Sequence, residues 1–366
     1  MIDRRLITNF NWWFFSIVMF IAAIGVVTIY SANHGRPEPF FRGLYIKQII
    51  WIFYGLLAML VAILIDYRAW SRNAYLVYSI TLLALGYTLL FGTVSSGARR
   101  WIHLGPVSIQ ISEFAKIALI IALAKYFEEK KTLEKYQIKD LLLPGFLTAI
   151  FCLLIALQPD LGTAMITIFI FFIFLVSAEV DQRTLIKIAL TGIISFPALW
   201  FFLKDYQKTR LLTLFNPELD PLGAGYHSIQ SKIAIGSGGF WGKGLFAGTQ
   251  NRLNFLPEKH TDFIFSVFAE EMGFIGVIIL LLLYLIIILK GLNIAFRSLD
   301  RFGLFLGLGI VSVLSFYIIV NIGMTIGFFP ITGIPLPLLS YGGSSLVTNF
   351  FAIGLLLNIE IRRTIF

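Results

Sequence analysis

Apolar runs long enough to cross a bilayer recur along almost the whole chain and leave little room for any other architecture. A hydrocarbon core of ~30 Å takes about 20 apolar residues as helix. Such runs fall at roughly 12–30, 44–65, 74–92, 112–127, 142–157, 163–179, 186–203, 263–289, 302–329 and 343–360, each ended by charge, Pro or Gly clusters. The pattern predicts an all-α polytopic membrane protein with ten transmembrane helices, forming one membrane domain over residues 1–366. The last two runs are rich in Gly and are expected to bend. Composition agrees: 58% of residues are hydrophobic and 13% charged, against nearer half and a quarter in soluble domains.

The first run begins at Trp12 and leads into Asn33-His34-Gly35 without a small-residue cleavage site, so it reads as a span rather than a signal peptide. Cys152 is the single cysteine and lies mid-span, so no disulfide can staple a loop. No Cys/His spacing of a metal site is present, and the metal content is left open.

Orientation follows from the basic residues of short loops. With the N-terminus inside, the inner segments carry Arg4, Arg5, Arg68, Arg72, Lys130, Lys131, Lys135, Lys139, Arg183, Lys187, Lys290, Arg297, Arg301, Arg362 and Arg363. The short outer loops carry Arg36, Arg42, Arg99 and Arg100. Both termini are therefore expected in the cytoplasm, and one large loop, 204–262, outside between helices 7 and 8. The net charge of +9 is largely this topology signal, and no nucleic-acid role is assigned.

That loop holds Asp205, Glu218, Asp220, Glu258 and Asp262 together with Lys204, Lys208, Arg210, Lys232, Lys243, Arg252 and Lys259. It ends in Leu256-Pro257-Glu258-Lys259-His260-Thr261-Asp262, which sets a carboxylate, an imidazole and an ammonium at the mouth of a membrane helix. Polar chemistry held at a bilayer surface suits a substrate that is itself half lipid. Ionisable residues within spans point the same way. Lys47, Glu113, Lys116 and Asp160 lie near outer helix ends. Glu270 and Glu271 are expected ~12–14 Å into the eighth span at 1.5 Å per residue.

Plainer readings stand beside these. Glu113 and Lys116, at i,i+3, can simply pair. Asp160 after Pro159 can cap a helix, and Asp262 or Thr261 can cap the eighth span. At least one of Glu270 and Glu271 is expected to bond only to neighbouring helices. Gly236-Ser237-Gly238-Gly239-Phe240-Trp241-Gly242-Lys243-Gly244 fails the phosphate-loop pattern, because Ser237 and Gly244 occupy positions that need Gly and Ser/Thr. It reads as a flexible or tightly turning loop. The Pro- and Gly-rich stretch 330–345 suits buried, non-helical backbone that dips toward the outer cavity.

Five motifs carry a resemblance over nearly the whole length: Gly97-Ala98-Arg99-Arg100-Trp101-Ile102, Ile111-Ser112-Glu113-Phe114-Ala115-Lys116, Gln158-Pro159-Asp160-Leu161-Gly162-Thr163, the stretch from Phe255 to Glu271, and Pro335-Leu336-Pro337 followed by Ser340-Tyr341-Gly342-Gly343-Ser344-Ser345. In this order the chain resembles the SEDS family of peptidoglycan glycosyltransferases, and within it the branch that serves cell elongation and rod shape. Ile111 departs from the family pattern, which often has Pro there.

The resemblance implies polymerisation of lipid II into β-1,4-linked glycan strands at the outer face of the cytoplasmic (inner) membrane. It implies a class B penicillin-binding protein and other elongation-complex proteins as partners. It matches Asp262 to an essential loop aspartate, and Arg100, Glu113, Lys116 and Asp160 to a central cavity, with Trp101 beside Arg100 on the substrate surface. In chemical terms Asp262 is the candidate general base for the acceptor hydroxyl. Arg100, Lys116 and Lys259 are candidates to offset charge on the departing diphosphate. His260 is a candidate second proton carrier or orienter of Asp262, and a divalent cation (Mg or Mn) can share the diphosphate. Two alternatives remain at this stage, a lipid II flippase and a non-catalytic scaffold of the elongation complex.

Overall fold

The computed structural model describes residues 8–34, 38, 41, 43–95, 98–105, 107–130, 135–221, 223–252, 255–256 and 258–363. Arg4, Arg5, Gly35, Arg36, Arg42, Gly97, Lys131 and Pro257, used above, lie outside these residues. Long helices occupy every expected span: α1 Trp12–Asn33, α2 Leu44–Leu64, α3 Ala74–Phe91, α4 Ile111–Glu129, α5 Leu142–Leu157, α6 Leu161–Ser177 and α7 Gln182–Phe202. The 204–262 segment contributes α8 Asp205–Phe215 and α9 Ala224–Ser237, and α10 Ile264–Phe296, α11 Arg301–Ile326 and α12 Gly343–Arg363 complete the chain. Among the described residues, seven helices are long and apolar enough to cross a membrane, and the shorter apolar α6 accompanies them. The chain is a multi-pass helical membrane protein.

α11 and α12 lie at the centre, buried along most of their length, whereas α3 and α10 turn much of their apolar surface outward. α12 packs along α2, and α11 packs on α4 and α10. Asn358 of α12 ties this centre together. Its Nδ2 donates to the carbonyls of Ala62, Ile63 and Ile65 at 2.7, 2.8 and 2.7 Å. These are carbonyls at the C-terminal end of α2, where helical partners run out. Its Oδ1 accepts from the Tyr67 amide at 3.2 Å.

Two expectations need correction. The chain is not purely helical: β1 Thr93–Ser95, β2 Ala98–Leu104 and β3 Val107–Gln110 form an antiparallel sheet between α3 and α4. Gly105, with φ +65°, makes the turn between β2 and β3. Trp101 pairs with Gln110 across the sheet. The second correction concerns where a helix bends. The interruption falls in α10, at Gly273, with φ 65° and ψ −167°, and not in the Gly-rich α11 or α12.

The Gly-rich stretch 238–244 fits into that break. In an unbroken helix Phe274 and Ile275 would donate to the carbonyls of Glu270 and Glu271. Here Phe274 N donates to Gly239 O at 2.9 Å and Ile275 N to Phe240 O at 3.3 Å. The freed carbonyls of Glu270 and Glu271 accept from Lys243 N and Gly244 N, each at 3.0 Å. A Cβ on Gly242 would sit 2.1 Å from Glu271 O, and one on Gly273 would sit 2.2 Å from Gly242 N. The stretch is thus a turning loop, as expected, but one docked backbone to backbone. From Phe274 to Phe296 the helix rises ~35 Å, enough to cross hydrocarbon alone.

Candidate functional site

Asp262 lies in a turn ahead of α10, where Phe263 occupies the cap position without a side-chain cap bond. Neither Asp262 nor Thr261 caps the helix. Thr261 Oγ1 instead donates to Glu258, to its carbonyl and to Oε2, each at 3.2 Å. Asp262 is partly exposed as a residue, with its carboxyl closely surrounded by protein. Burial, then the Glu258 carboxylate, push its pKa up to about 6, against the opposing pull of Arg210, Thr261 and Arg100.

The Pro-rich segment 330–337 forms the wall beside it. A Cβ at Gly333 would lie 3.5 Å from Asp262 Oδ2. Across the same segment, a Cβ at Gly162 would meet Ile334 at 3.1 Å and Thr332 O at 3.2 Å. Gly162 is the second residue of α6, two after Asp160, so residues 332–334 lie between the starts of α6 and α10.

Asp160 caps α6, with Oδ1 accepting from Thr163 N at 3.2 Å. It has further partners. Gln110 Nε2 donates to Oδ2 at 3.3 Å, and Arg100 Nη1 approaches Oδ1 to 3.8 Å. Arg100 also donates to the carbonyls of Pro159 and Gln158. β2 therefore carries Arg100 to the start of α6, and Trp101 follows it, its carbonyl accepting from Thr93 Oγ1 at 3.2 Å.

Glu113 and Lys116 pair on α4 at 2.9 Å. Tyr317 of α11 closes the group, donating to Glu113 Oε1 at 2.9 Å and contacting Lys116 Nζ. Thr348 of α12 donates to Glu113 Oε2 at 3.4 Å. A small cavity bounded by Glu113, Lys116, Ile310, Thr348 and Asn349 adjoins the pair. Among the cations expected at a diphosphate, the side chain of Arg100 is 29% exposed, that of Lys116 3%, and Lys259 as a residue 1%. Arg100 is the one of the three whose side chain is substantially exposed in this conformation. His260 is also packed inside, its ring near Phe41 and Tyr341.

Glu270 is structural. Its Oε1 accepts from Lys243 Nζ at 2.8 Å, Thr249 Oγ1 at 3.1 Å and Gln250 N at 3.1 Å, all from the loop. Glu271 accepts from Ser31 Oγ at 2.5 Å, tying α10 to α1. Sequence reasoning gave no site role to Tyr317, Thr348, Gln110 or Arg210. Tyr317 and Thr348 sit in apolar runs where no local pattern marks them. Among the described residues no group of three or more His, Cys, Asp or Glu side chains gathers as a metal cage.

The chain is thus a multi-pass helical bundle that carries a partly exposed acid ahead of α10, a basic strand residue at the start of α6 and a buried ion pair on α4. Residues 11–365 match the family described as Cell cycle protein, FTSW_RODA_SPOVE, and the chain belongs to that family. It is 43% identical over 326 residues to the peptidoglycan glycosyltransferase MrdB of Escherichia coli K12, covering 88% of this chain and 86% of that one. Its fold is similar to a chain in a peptidoglycan synthase complex described as coordinating polymerization and crosslinking, with a TM-score of 0.82, 32% identity, and coverage of 97% and 98%. It is likewise similar to the rod shape determining protein RodA of Thermus thermophilus, with a TM-score of 0.72, 31% identity and coverage of 97% of each chain. The chain is RodA-like within the family.

Proposed function

We infer that this chain is a peptidoglycan glycosyltransferase that polymerises lipid II into β-1,4-linked glycan strands for cell elongation. The carrying observation is Asp262, a partly exposed acid whose pKa of about 6 leaves it ionised yet basic near neutrality. In this reading Asp262 takes the proton from the acceptor's 4-hydroxyl. The oxygen then bonds to the donor sugar's anomeric carbon, and the bond from that carbon to the lipid diphosphate breaks. A diphosphate is a good leaving group and needs no general acid. Arg100 offsets its charge, while Trp101, Asp160, Lys259 and His260 shape the surrounding surface and the Glu113–Lys116 pair fixes the cavity floor. A divalent cation, Mg or Mn, would be held mainly by the diphosphate with one or two carboxylates, given the absence of a cage among the described residues.

The placement rests on ten crossings, both termini in the cytoplasm of a cell with an inner membrane, and 204–262 facing outward as part of one domain. The basic-residue bias supports it. A class B penicillin-binding protein is the proposed partner, supported by likeness to a synthase complex. Relatives named as glycosyltransferases favour catalysis over the flippase and scaffold readings. The test is direct. Purified protein with its partner is given lipid II, and glycan strands are resolved by length. Strands from the native chain and none from Asp262→Ala support the reading; equal polymer from both refutes the base.

A further inference from the structure

Three consecutive carbonyls, those of His260, Thr261 and Asp262, each accept a hydrogen bond from a different donor outside their own segment. Tyr341 N donates to His260 O at 2.8 Å. Ser340 Oγ donates to Thr261 O at 2.7 Å. Asn321 Nδ2 donates to Asp262 O at 3.1 Å. The donors are themselves fixed. Ser340 Oγ accepts from Leu336 N at 2.8 Å, and Gln48 Nε2 of α2 donates to Ser340 O at 3.1 Å. Asn321 Nδ2 also donates to Ile334 O at 2.7 Å. Asn321 is fully buried and Ser340 nearly so.

The segment they hold has no regular structure of its own. Glu258 has φ +46°, and α10 begins only at Ile264. Locally only the turn at Glu258 holds it, with Thr261 N and Phe263 N donating to Glu258 O at 3.1 and 3.4 Å, so the three bonds are what fix the backbone at Asp262 against the rest of the fold. Both side chains bond main-chain atoms of 260–262 on one side and of 334–336 on the other. They clamp the acid to the 334–336 segment beside it.

We propose that Asn321 and Ser340 are positioning residues for Asp262, acting through its backbone rather than touching substrate. This rests on the base role proposed above. A general base has to meet its proton within hydrogen-bond reach, and a displacement of ~1 Å can cost ~100-fold in rate. Removing either donor therefore slows turnover and leaves substrate binding intact, since both side chains are buried and spent on main-chain atoms.

The experiment compares native protein, Asp262→Asn, Ser340→Ala and Asn321→Leu, each as the full chain with its partner. It measures lipid II binding (stoichiometry and Kd) beside polymerisation kcat and KM. The expected result is a kcat lower by about 10- to 100-fold for Ser340→Ala and Asn321→Leu. Binding stoichiometry, Kd and KM stay within about 2-fold of native. Unchanged stoichiometry excludes a misfolded fraction as the cause. Should Asn321→Leu not fold, Ser340→Ala, which loses one hydroxyl, decides alone. Native kcat in Ser340→Ala, or a loss confined to Kd and KM, overturns the positioning role while an inactive Asp262→Asn leaves the base role standing. Full activity of Asp262→Asn removes the base role itself.

Discussion

Lys243 and Glu270 form an ion pair at 2.8 Å in which the carboxylate is fully buried and the ammonium is reached by solvent. The pair fastens the Gly-rich loop to the broken start of α10, beside the four backbone bonds that bridge the break. Lys243→Met keeps the length of the side chain and removes its charge, leaving Glu270 with neutral donors. The expected loss is on the order of 3 kcal/mol, the range for stripping one partner from a buried pair. Thermal unfolding in detergent checks it, and an unaltered midpoint would contradict the anchoring role.

Gly242→Ala tests the same junction by shape. Its φ is +79°, and the added methyl would lie 2.1 Å from a backbone oxygen that cannot swing aside. Left-handed strain alone costs about 1–3 kcal/mol, and the collision adds to it. The folded yield should drop below that of Gly236→Ala, where an added Cβ meets nothing. Equal yields would show that the loop shifts freely.

The Asp262 carboxyl gives activity a pH signature. A base must be ionised, so the rate should fall about tenfold per pH unit below about 6 and level off above it. The same shift acts on stability with the opposite sense. Between the ordinary value of 3.8 and about 6 the folded state holds the extra proton, so this group makes the protein less stable as pH rises through that window. Rates and unfolding midpoints from about pH 4.5 to 8 measure both, and a flat rate below about pH 6 would count against Asp262.

Glu113 and Lys116 share one buried site with Tyr317, so their substitutions should not add. Glu113→Gln and Lys116→Met each leave an unmatched partner and should cost about 3–5 kcal/mol. The double variant leaves none and should cost less than the two together by about 1–3 kcal/mol. Independent, additive losses would show that the pair is not a unit.

Helix positions were legible because crossing hydrocarbon demands long apolar runs, and α1 to α7 and α10 to α12 fall where those runs do. The pairing of Glu113 with Lys116 and the capping by Asp160 were legible because both are local, set by spacing along one helix. The sheet was not. Ala98–Leu104 and Val107–Gln110 are short, and Arg99, Arg100 and His103 dilute their apolar alternation. The break at Gly273 was also hidden, since its cause lies in residues 239–244, some thirty positions earlier. What Tyr317, Asn321 and Ser340 bond to was hidden for the same reason: each acts on a segment remote in sequence.

The order of synthesis gives the bridged break a further meaning. Residues 239–244 leave the ribosome before 270–275, so the loop that bridges the interrupted helix is already made when that helix reaches the membrane. The start of α10 need never meet lipid with bare amides, and a chain shortened within 239–244 should stall at insertion of α10 rather than at catalysis.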